Sequence, residues 1–95
     1  ELKTARPPRI LYHGSDPKDY DSIMKKGLIK MKRLHVHLSA DKEIAYSVGK
    51  RYAKRNEPII LKIDAAAMYA DGFKFFLSEN GVWLIDNVPP KYLSI

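Results

Sequence analysis

The stretch from residue 75 to residue 84 constrains the fold most, because it places a turn signal between two short apolar, aromatic-rich runs. The runs are Phe75–Leu77 and Val82–Leu84, and Ser-Glu-Asn-Gly connects them. Asn-Gly between apolar runs is the strongest local signal for a β-hairpin, because Gly81 accepts a positive φ without penalty and Asn tolerates one better than most residues. The stretch therefore predicts a hairpin whose polar side chains, Ser78, Glu79 and Asn80, lie in an apolar neighbourhood.

A second stretch, Leu11-Tyr12-His13-Gly14-Ser15, also places polar groups where an apolar strand ends. Two interpretations of these stretches are open. In one, the hairpin is purely structural. In the other, the two stretches together line a functional site.

The size and composition of the chain exclude several classes of protein. Its 95 residues are enough for one domain with a modest core. It contains no cysteine, which excludes disulfides, thiolate catalysis and zinc ribbons. No run approaches the roughly 20 apolar residues of a membrane span, and the first residues show no apolar signal core. We therefore expect a soluble, cytoplasmic protein without a membrane partner.

The charge is informative, because 17 basic residues against 11 acidic ones give a formal net charge of +6. Such an excess favours a polyanionic partner such as RNA, DNA or a phosphate-rich cofactor. A lysine-rich surface that serves solubility or heat resistance is the alternative.

The first part of the chain predicts a linker, a strand and a helix. Residues 1–9 contain Arg6-Pro7-Pro8, which cannot continue a helix and favours extended geometry. Residues 10–95 would form the domain itself, with a first strand over Ile10–His13. Ser15-Asp16-Pro17 is a helix start, Gly27 is the expected stop, and the apolar stripe between them consists of Tyr20, Ile23 and Met24.

The middle of the chain predicts a strand and a longer helix. Residues 34–39 alternate with a period of two, so Leu34, Val36 and Leu38 would face one way and His35, His37 and Ser39 the other. The helix would run from about Ser39–Asp41 to Lys54 on an apolar stripe of Ile44, Val48 and Tyr52. Arg51 would lean over a buried surface beside this stripe, and Gly49 would permit a close approach.

The last part predicts a central strand, a helical turn and the hairpin. Residues 58–64 form a nearly continuous apolar run, typical of a central strand covered on both faces. A helical turn over residues 65–70 follows, whereas the prolines at 89 and 90 exclude a further central strand. The element order β-α-β-α-β-(α)-β-β indicates an α+β domain with two main helices and a mixed or split sheet.

Several kinds of site are compatible with these residues. His13, His35 and His37 could bind a metal, but no carboxylate is obviously placed with them. Ser15 lacks a nucleophile-elbow context, and no phosphate-binding loop or dinucleotide fingerprint is present. A third possibility is one polar lining over an apolar floor, which would suit a dinucleotide. Its members would be His13, Gly14, Ser15, His37, Ser39, Arg51, Ser78 and Asn80.

From Ile10 to the end, the sequence resembles the C-terminal lobe of the tRNA (RNA) 2′-phosphotransferase family, which has an ADP-ribosyltransferase fold. Each matching segment is short, but their order and spacing agree along nearly the whole chain. The segments are Leu11-Tyr12-His13-Gly14-Ser15, Gly27-Leu28, Val36-His37-Leu38-Ser39, Val48-Gly49-Lys50-Arg51, Ile63-Asp64-Ala65, Ser78-Glu79-Asn80-Gly81-Val82-Trp83-Leu84 and Val88-Pro89-Pro90-Lys91-Tyr92-Leu93.

The resemblance implies that NAD binds as a co-substrate, without a metal. The key residues on three strands of the fold would be His13, His37 and Val82. His13, Gly14 and Ser15 would hold the adenosine-side ribose and phosphate. The nicotinamide-ribose end would contact His37, Leu38 and Ser39, and the pocket would be closed by Ser78, Asn80, Gly81 and Val82. Arg51 would contact the reacting phosphate.

The reaction that the resemblance implies removes an internal 2′-phosphate from RNA such as spliced tRNA. The phosphate attacks the anomeric carbon of the nicotinamide ribose and expels nicotinamide. A ribose hydroxyl then displaces the RNA 2′-oxygen, which leaves ADP-ribose cyclic phosphate and a 2′-hydroxyl. Because the acceptor is already anionic, an aliphatic residue at Val82 in place of a catalytic glutamate is chemically reasonable.

The sequence departs from the family pattern in two ways. The family has an upstream RNA-binding lobe that supplies catalytic residues, and no such lobe precedes Glu1. We therefore expect a fragment, or a partner chain that carries the other half, and we expect the chain to be inactive alone. In addition, the family's Val-Gly-x-Arg is usually followed by His-Gly, where this sequence has Tyr52-Ala53. A non-catalytic NAD- or ADP-ribose-binding module and a small basic RNA-binding domain remain alternatives.

Overall fold

A computed structural model describes residues 2–54 and 56–95 of the chain. Its helices are α1 (Tyr20–Lys26), α2 (Lys42–Ala53) and α3 (Ala65–Ala70), with 3-10 turns at Pro17–Asp19 and Pro90–Tyr92. Its strands are β1 (Lys3–Thr4), β2 (Ile10–Ser15), β3 (Leu28–Ile29), β4 (Val36–Leu38), β5 (Ile59–Asp64), β6 (Phe76–Leu77), β7 (Trp83–Ile85), β8 (Asn87–Val88) and β9 (Leu93–Ser94).

The strands form a split sheet, in which every pairing within the described ranges is antiparallel. The strand orders are β1-β6-β7-β4, β2-β5-β9 and β3-β8. Tyr12 and Ser39 join the two larger sheets through two backbone hydrogen bonds of 2.8 and 2.9 Å. The α+β prediction is thus confirmed, and the architecture is compatible with an ADP-ribosyltransferase-like fold. No helix among the described residues is long and apolar enough to cross a bilayer.

The predicted hairpin is present as β6 and β7. Phe76 pairs with Leu84, and the Ser78 N–H donates to the Val82 carbonyl at 2.9 Å. The Gly81 N–H donates back to the Ser78 carbonyl at 3.0 Å, and Gly81 alone in this turn has a positive φ, of 83°. The turn therefore depends on the glycine, whereas Asn80 keeps an ordinary φ.

The two predicted helix signals at the start of the chain are confirmed. The Asp16 carboxylate accepts a hydrogen bond from the Lys18 N–H at 3.0 Å and caps the 3-10 turn that leads into α1. Helix α1 ends at Gly27, which has a φ of 85°. Tyr20, Ile23 and Met24 pack against the core as expected.

The core lies between the sheets and the helices, and strand β5 crosses it. Leu61 and Ile63 are fully buried, but Lys62 and Asp64 on the same strand are exposed. Strand β5 is therefore central, as predicted, but it is not covered on both faces along its whole length. The reason is that an antiparallel sheet can leave one face in water. The other fully buried large side chains are Phe75, Leu11, Met68, Ile85 and Val88.

Helix α2 buries a different face from the predicted one. Its buried residues are Ala45, Gly49 and Ala53, whereas Ile44 and Tyr52 are 56% and 53% exposed. The helix lies so close to β2 that a Cβ on Gly14 would be 2.0 Å from the Ala45 carbonyl oxygen. Only small side chains fit such an approach, so the stripe of Ile44, Val48 and Tyr52 was wrong as a core face.

The predicted strand over residues 34–39 is shorter than expected. Val36 and Leu38 are buried and His37 is exposed, which confirms the alternation. Leu34 is 83% exposed, so the prediction that it faces the same way as the buried Val36 and Leu38 was wrong. The bend before Val36 carries Leu34 away from the sheet, because regular pairing with β7 begins only at Val36.

The first residues lie against the body of the protein. Lys3 and Thr4 pair with β6, and the Ala5 N–H donates to the Phe75 carbonyl at 2.9 Å. Pro7 is buried, and the guanidinium of Arg6 lies 5.6 Å from the centre of the Tyr69 ring. Whether residues 1–9 also link to another lobe stays a prediction.

Candidate functional site

A cleft of about 450 Å³ opens between the end of β2, the segment from residue 28 to residue 37, and helix α2. We call this space the cleft. Its lining combines apolar side chains with imidazoles, cations and two carboxylates. The lining residues are His13, Gly14, Ser15, Asp16, Asp19, Leu28, Ile29, Lys30, Met31, Lys32, Arg33, His35, Val36, His37, Val48 and Tyr52.

The partly buried His13 connects the two sheets across the cleft floor. Its Nδ1–H donates to the His37 carbonyl at 3.0 Å, which leaves Nε2 as a hydrogen-bond acceptor in the neutral ring. Burial lowers the pKa of His13, and the charge of His37 lowers it further, whereas the hydrogen bond to the His37 carbonyl raises it. His13 is thus held as a neutral imidazole in a fixed orientation, which suits an acceptor for a ribose hydroxyl.

His37 lies on the exposed side of β4, between basic neighbours. Burial lowers the pKa of His37, and the charges of Arg33 and His35 lower it further. The Arg33 guanidinium lies 3.5 Å from the His37 Nδ1, at the outer limit of a hydrogen bond. His37 is thus also biased towards its neutral form.

Arg33 lines the cleft although no sequence pattern marked it as a site residue. Its Nη2 donates to the Tyr52 hydroxyl, and its guanidinium carbon lies 5.9 Å from the centre of the Tyr52 ring. These contacts hold the guanidinium beside His37. The only signal in the sequence was the basic run from residue 30 to residue 33, and that run does not tell which cation faces the cleft.

Some polar groups of the cleft already have hydrogen-bond or ion-pair partners within the protein. Ser15 and Asp16 are buried, and the Asp16 carboxylate is held by the Lys18 N–H. Lys30 forms an ion pair with Asp86 at 2.6 Å. Within residues 2–54 and 56–95, no group of three or more His, Asp or Glu side chains is arranged to hold a metal ion.

The structure gathers only part of the predicted site around the cleft. His13, Gly14, Ser15 and His37 line it. Leu38, Ser39, Arg51, Ser78, Asn80, Gly81 and Val82 are not among the lining residues.

Each of these seven residues has another place in the fold. Leu38 is buried in the core, and Ser39 forms the bridge to Tyr12. The Ser78 hydroxyl accepts from the Val82 N–H at 3.1 Å, and Asn80 and Gly81 are exposed in the turn. Val82 precedes Trp83, which pairs with Leu38, so it reaches the end of β4 near Ser39.

Arg51 is exposed on α2 and lies outside the cleft lining. The prediction that it leans over a buried surface was therefore wrong. Of the predicted stripe beside it, Ile44 and Tyr52 are exposed and Val48 is half-buried.

The cleft can bind an anionic ligand that also carries hydroxyl groups. Arg33 and Lys32 offer charged donors for phosphate oxygens, and His13 offers an oriented acceptor. The apolar part of the lining can cover a ring. This combination favours a nucleotide over a purely apolar ligand.

Comparisons with known proteins point to one family. Residues 1–87 match the family model described as RNA 2′-phosphotransferase, Tpt1 / KptA family. The chain is 52% identical over 93 residues to a protein of Trichormus variabilis, and 56% identical over 92 residues to one of Flavobacterium johnsoniae. A protein of Fusobacterium nucleatum is 53% identical over 93 residues.

All three relatives bear the name "Probable RNA 2′-phosphotransferase". The matches cover 97–98% of this chain but only 49–51% of the relatives. The chain thus spans about half the length of the curated relatives that it matches.

Proposed function

This chain belongs to the RNA 2′-phosphotransferase family, and we propose that it is the NAD-binding half of an enzyme that removes a 2′-phosphate from RNA. One observation carries the proposal: His13, His37 and Arg33 surround one cleft. An oriented neutral imidazole, a second imidazole and a guanidinium are suited to a ribose, its hydroxyls and a phosphate. Internal 2′-phosphates of spliced tRNA are the proposed substrate, and the cytoplasm is the proposed location.

NAD fits the donor set of the cleft. The Nε2 atom of His13 would accept a hydrogen bond from a ribose hydroxyl, and the Gly14–Ser15 backbone would approach a phosphate. His37, with Leu38 and Ser39 on the same strand end, would border the nicotinamide ribose. Ser78, Asn80, Gly81 and Val82 would close this end from the hairpin. NAD supplies the carbon that accepts the RNA phosphate; no metal takes part in the proposal.

The role of this chain's cations is to stabilise negative charge on the phosphate during transfer. Preorganised donors are worth most where the charge redistributes, because they need no reorganisation at that moment. Two arginines are candidates. Arg51 occupies the position that the family motif indicates, and Arg33 is the one whose guanidinium lies in the cleft.

The remaining parts of the enzyme are proposed from the lengths of the relatives. An RNA-binding lobe, in the same chain or in a partner, would present the 2′-phosphate to the cleft. The half represented here would bind NAD without turnover when it is alone.

Calorimetric titration of the chain with NAD tests the proposal. Saturable binding with the same heat in the presence of a chelator is expected, because no metal takes part. Absence of NAD binding would contradict the proposal. RNA binding without any NAD binding would favour the basic RNA-binding domain.

Turnover is tested by joining this chain to the part of the Flavobacterium johnsoniae relative that it does not cover. The joined protein should convert an RNA with an internal 2′-phosphate into 2′-hydroxyl RNA, with release of nicotinamide. If NAD binds but no phosphate is removed, the non-catalytic NAD-binding module is the better description.

A further inference from the structure

Tyr52 and Arg33, which both line the cleft, form an exposed contact with each other. The Tyr52 ring is 53% exposed on the surface of α2, yet its hydroxyl accepts a hydrogen bond from the Arg33 Nη2. The same guanidinium lies 5.9 Å from the centre of the ring. Two different interactions, a charged hydrogen bond and a cation–π contact, thus act on one side chain.

Arg33 needs such support because its own segment offers little. Residues 29–34 are all exposed, and the Arg33 backbone N–H donates to the Lys30 carbonyl at 2.9 Å in a turn. An exposed arginine on a turn would otherwise sample many rotamers. Tyr52 belongs to a helix that packs closely on β2, so it provides a rigid point of attachment.

From these contacts we propose that Tyr52 is a positioning residue that holds the Arg33 guanidinium over the cleft, beside His37. The hydroxyl fixes one end of the guanidinium, and the other end, Nη1, points to His37 at 3.5 Å. On the proposed function, which this inference deepens, the guanidinium so held contacts the 2′-phosphate of the RNA.

The pKa of His37 depends on how close the Arg33 guanidinium lies, so it can be used to follow the position of Arg33. The charged and titratable groups that face His37 are Arg33 and His35 from its own segment, and His13, whose ring donates to its carbonyl. The positive charge of Arg33 lowers the pKa of His37. If Tyr52 releases the guanidinium, the pKa of His37 should rise.

The experiment is a histidine titration by NMR on the ligand-free chain, which has only three histidines. Arg33→Gln should raise the pKa of His37 by the full contribution of the charge. Tyr52→Phe should also raise the pKa of His37. In the Arg33→Gln background, Tyr52→Phe should cause no further rise in this pKa. Tyr46→Phe is the matched control on the same helix, because the Tyr46 hydroxyl bonds to Glu57 instead. It should leave His37 unchanged.

A second measurement concerns the proposed ligand. Tyr52→Phe should weaken the binding of an RNA dinucleotide that carries a 2′-phosphate by about tenfold, because the Arg33 guanidinium, which donates to the phosphate, is no longer held in place. The affinity for NAD should change little. Unaltered melting temperatures for all variants would exclude a folding defect as the cause.

The inference is overturned if Tyr52→Phe leaves the pKa of His37 unchanged while Arg33→Gln raises it. It is also overturned if neither variant moves His37, because Arg33 then does not lie beside it. Failure of the wild-type chain to bind NAD would contradict the proposed function alone, since the titration uses no ligand.

Discussion

At the scale of single residues, the cleft depends on side chains whose charge state the fold controls. His13 donates through Nδ1 to the His37 carbonyl, and burial lowers the pKa of both histidines. Because Nδ1 is used in this hydrogen bond, the neutral ring can contact a ligand only through Nε2. The fold therefore fixes both the proton and the orientation of His13.

The lowered pKa of His13 predicts a loss of stability in mild acid. Because the folded-state pKa lies below the ordinary value of 6.5, the unfolded chain binds its proton first as the pH falls. The free energy of unfolding should therefore decrease as the pH falls from 6.5 towards the folded-state pKa, and His37 should contribute with the same sign. Urea unfolding at a series of pH values measures this.

His13→Asn is the informative variant, because the amide can still donate to the His37 carbonyl but cannot titrate. Its stability should depend less on pH over this range. An identical pH dependence in the variant and the wild type would show that His13 is not the group responsible.

Arg33 and Arg51 are alternative candidates for the donor to the reacting phosphate, and turnover of the substituted proteins distinguishes them. Arg33→Ala in the joined protein should reduce turnover by roughly 10²–10³-fold if Arg33 is the charge-stabilising donor. NAD affinity should fall far less, because the contact strengthens only in the transition state. Arg33→Lys should restore little activity, since an ammonium cannot reproduce the planar guanidinium.

Arg51→Ala is the matched comparison on the same protein. If Arg51 instead contacts the reacting phosphate, it is this variant that loses turnover, and Arg33→Ala keeps it. Single-turnover kinetics with saturating NAD separates the two cases. Normal turnover in both variants would show that neither arginine acts on the phosphate.

At the scale of elements, the close approach of α2 to β2 sets the geometry of the cleft. A Cβ on Gly49 would lie 2.8 Å from the Pro58 Cβ and 2.9 Å from the Gly14 Cα. His13 and Ser15 flank Gly14, and Val48 and Tyr52 project from α2. The glycine contact thus determines how far the two walls of the cleft stand apart.

Gly14→Ala should lower the free energy of unfolding by about 1–3 kcal/mol, the usual cost of overpacking. Its Cβ would collide with the Ala45 backbone, which cannot move without shifting the helix. Gly49→Ala should cost less, because alanine is about 1 kcal/mol better than glycine in a helix and offsets part of the clash. Chemical denaturation measures both.

The control for the glycine contact is Ser47→Ala on the exposed face of α2, which should be nearly neutral. If Gly14→Ala were as stable as this control, the two elements would not be in the close contact that defines the cleft.

At the scale of the whole molecule, some of the cations behind the net charge of +6 are held in ion pairs and others line the cleft. Lys30 and Lys50 are paired with Asp86 and Glu57, at 2.6 and 2.8 Å. Lys32 and Arg33 line the cleft, and neither forms an ion pair with a carboxylate within residues 2–54 and 56–95. Lys32 and Arg33 are therefore the cations that the cleft itself can offer to a polyanion.

This distribution predicts a salt dependence that is local to the cleft. The logarithm of the association constant for a short RNA with a 2′-phosphate should fall linearly with the logarithm of the salt concentration. Lys32→Ala should reduce the slope by about 0.7, the value for one phosphate contact on a single strand. Lys50→Ala is the control and should leave the slope unchanged. Equal effects of the two substitutions would indicate a diffuse basic surface instead.

The amino-acid sequence by itself determined the elements and the family. Backbone sterics and local hydrogen bonds depend on residues that are close together in the chain. They account for the positive φ at Gly81, the cap at Asp16 and the short helix over residues 65–70. His13 and His37 stand within the motifs that carry the family resemblance, and both line the cleft.

The tertiary structure alone decided which face of α2 is buried and which cation reaches the cleft. The apolar stripe of α2 predicted Ile44 and Tyr52 inside, but the contact between Gly14 and Gly49 brings the helix too close for them. Arg33 was one of several basic residues until the fold placed it between Tyr52 and His37. Both outcomes depend on residues far apart in the chain, and such distances are set only when the whole core packs.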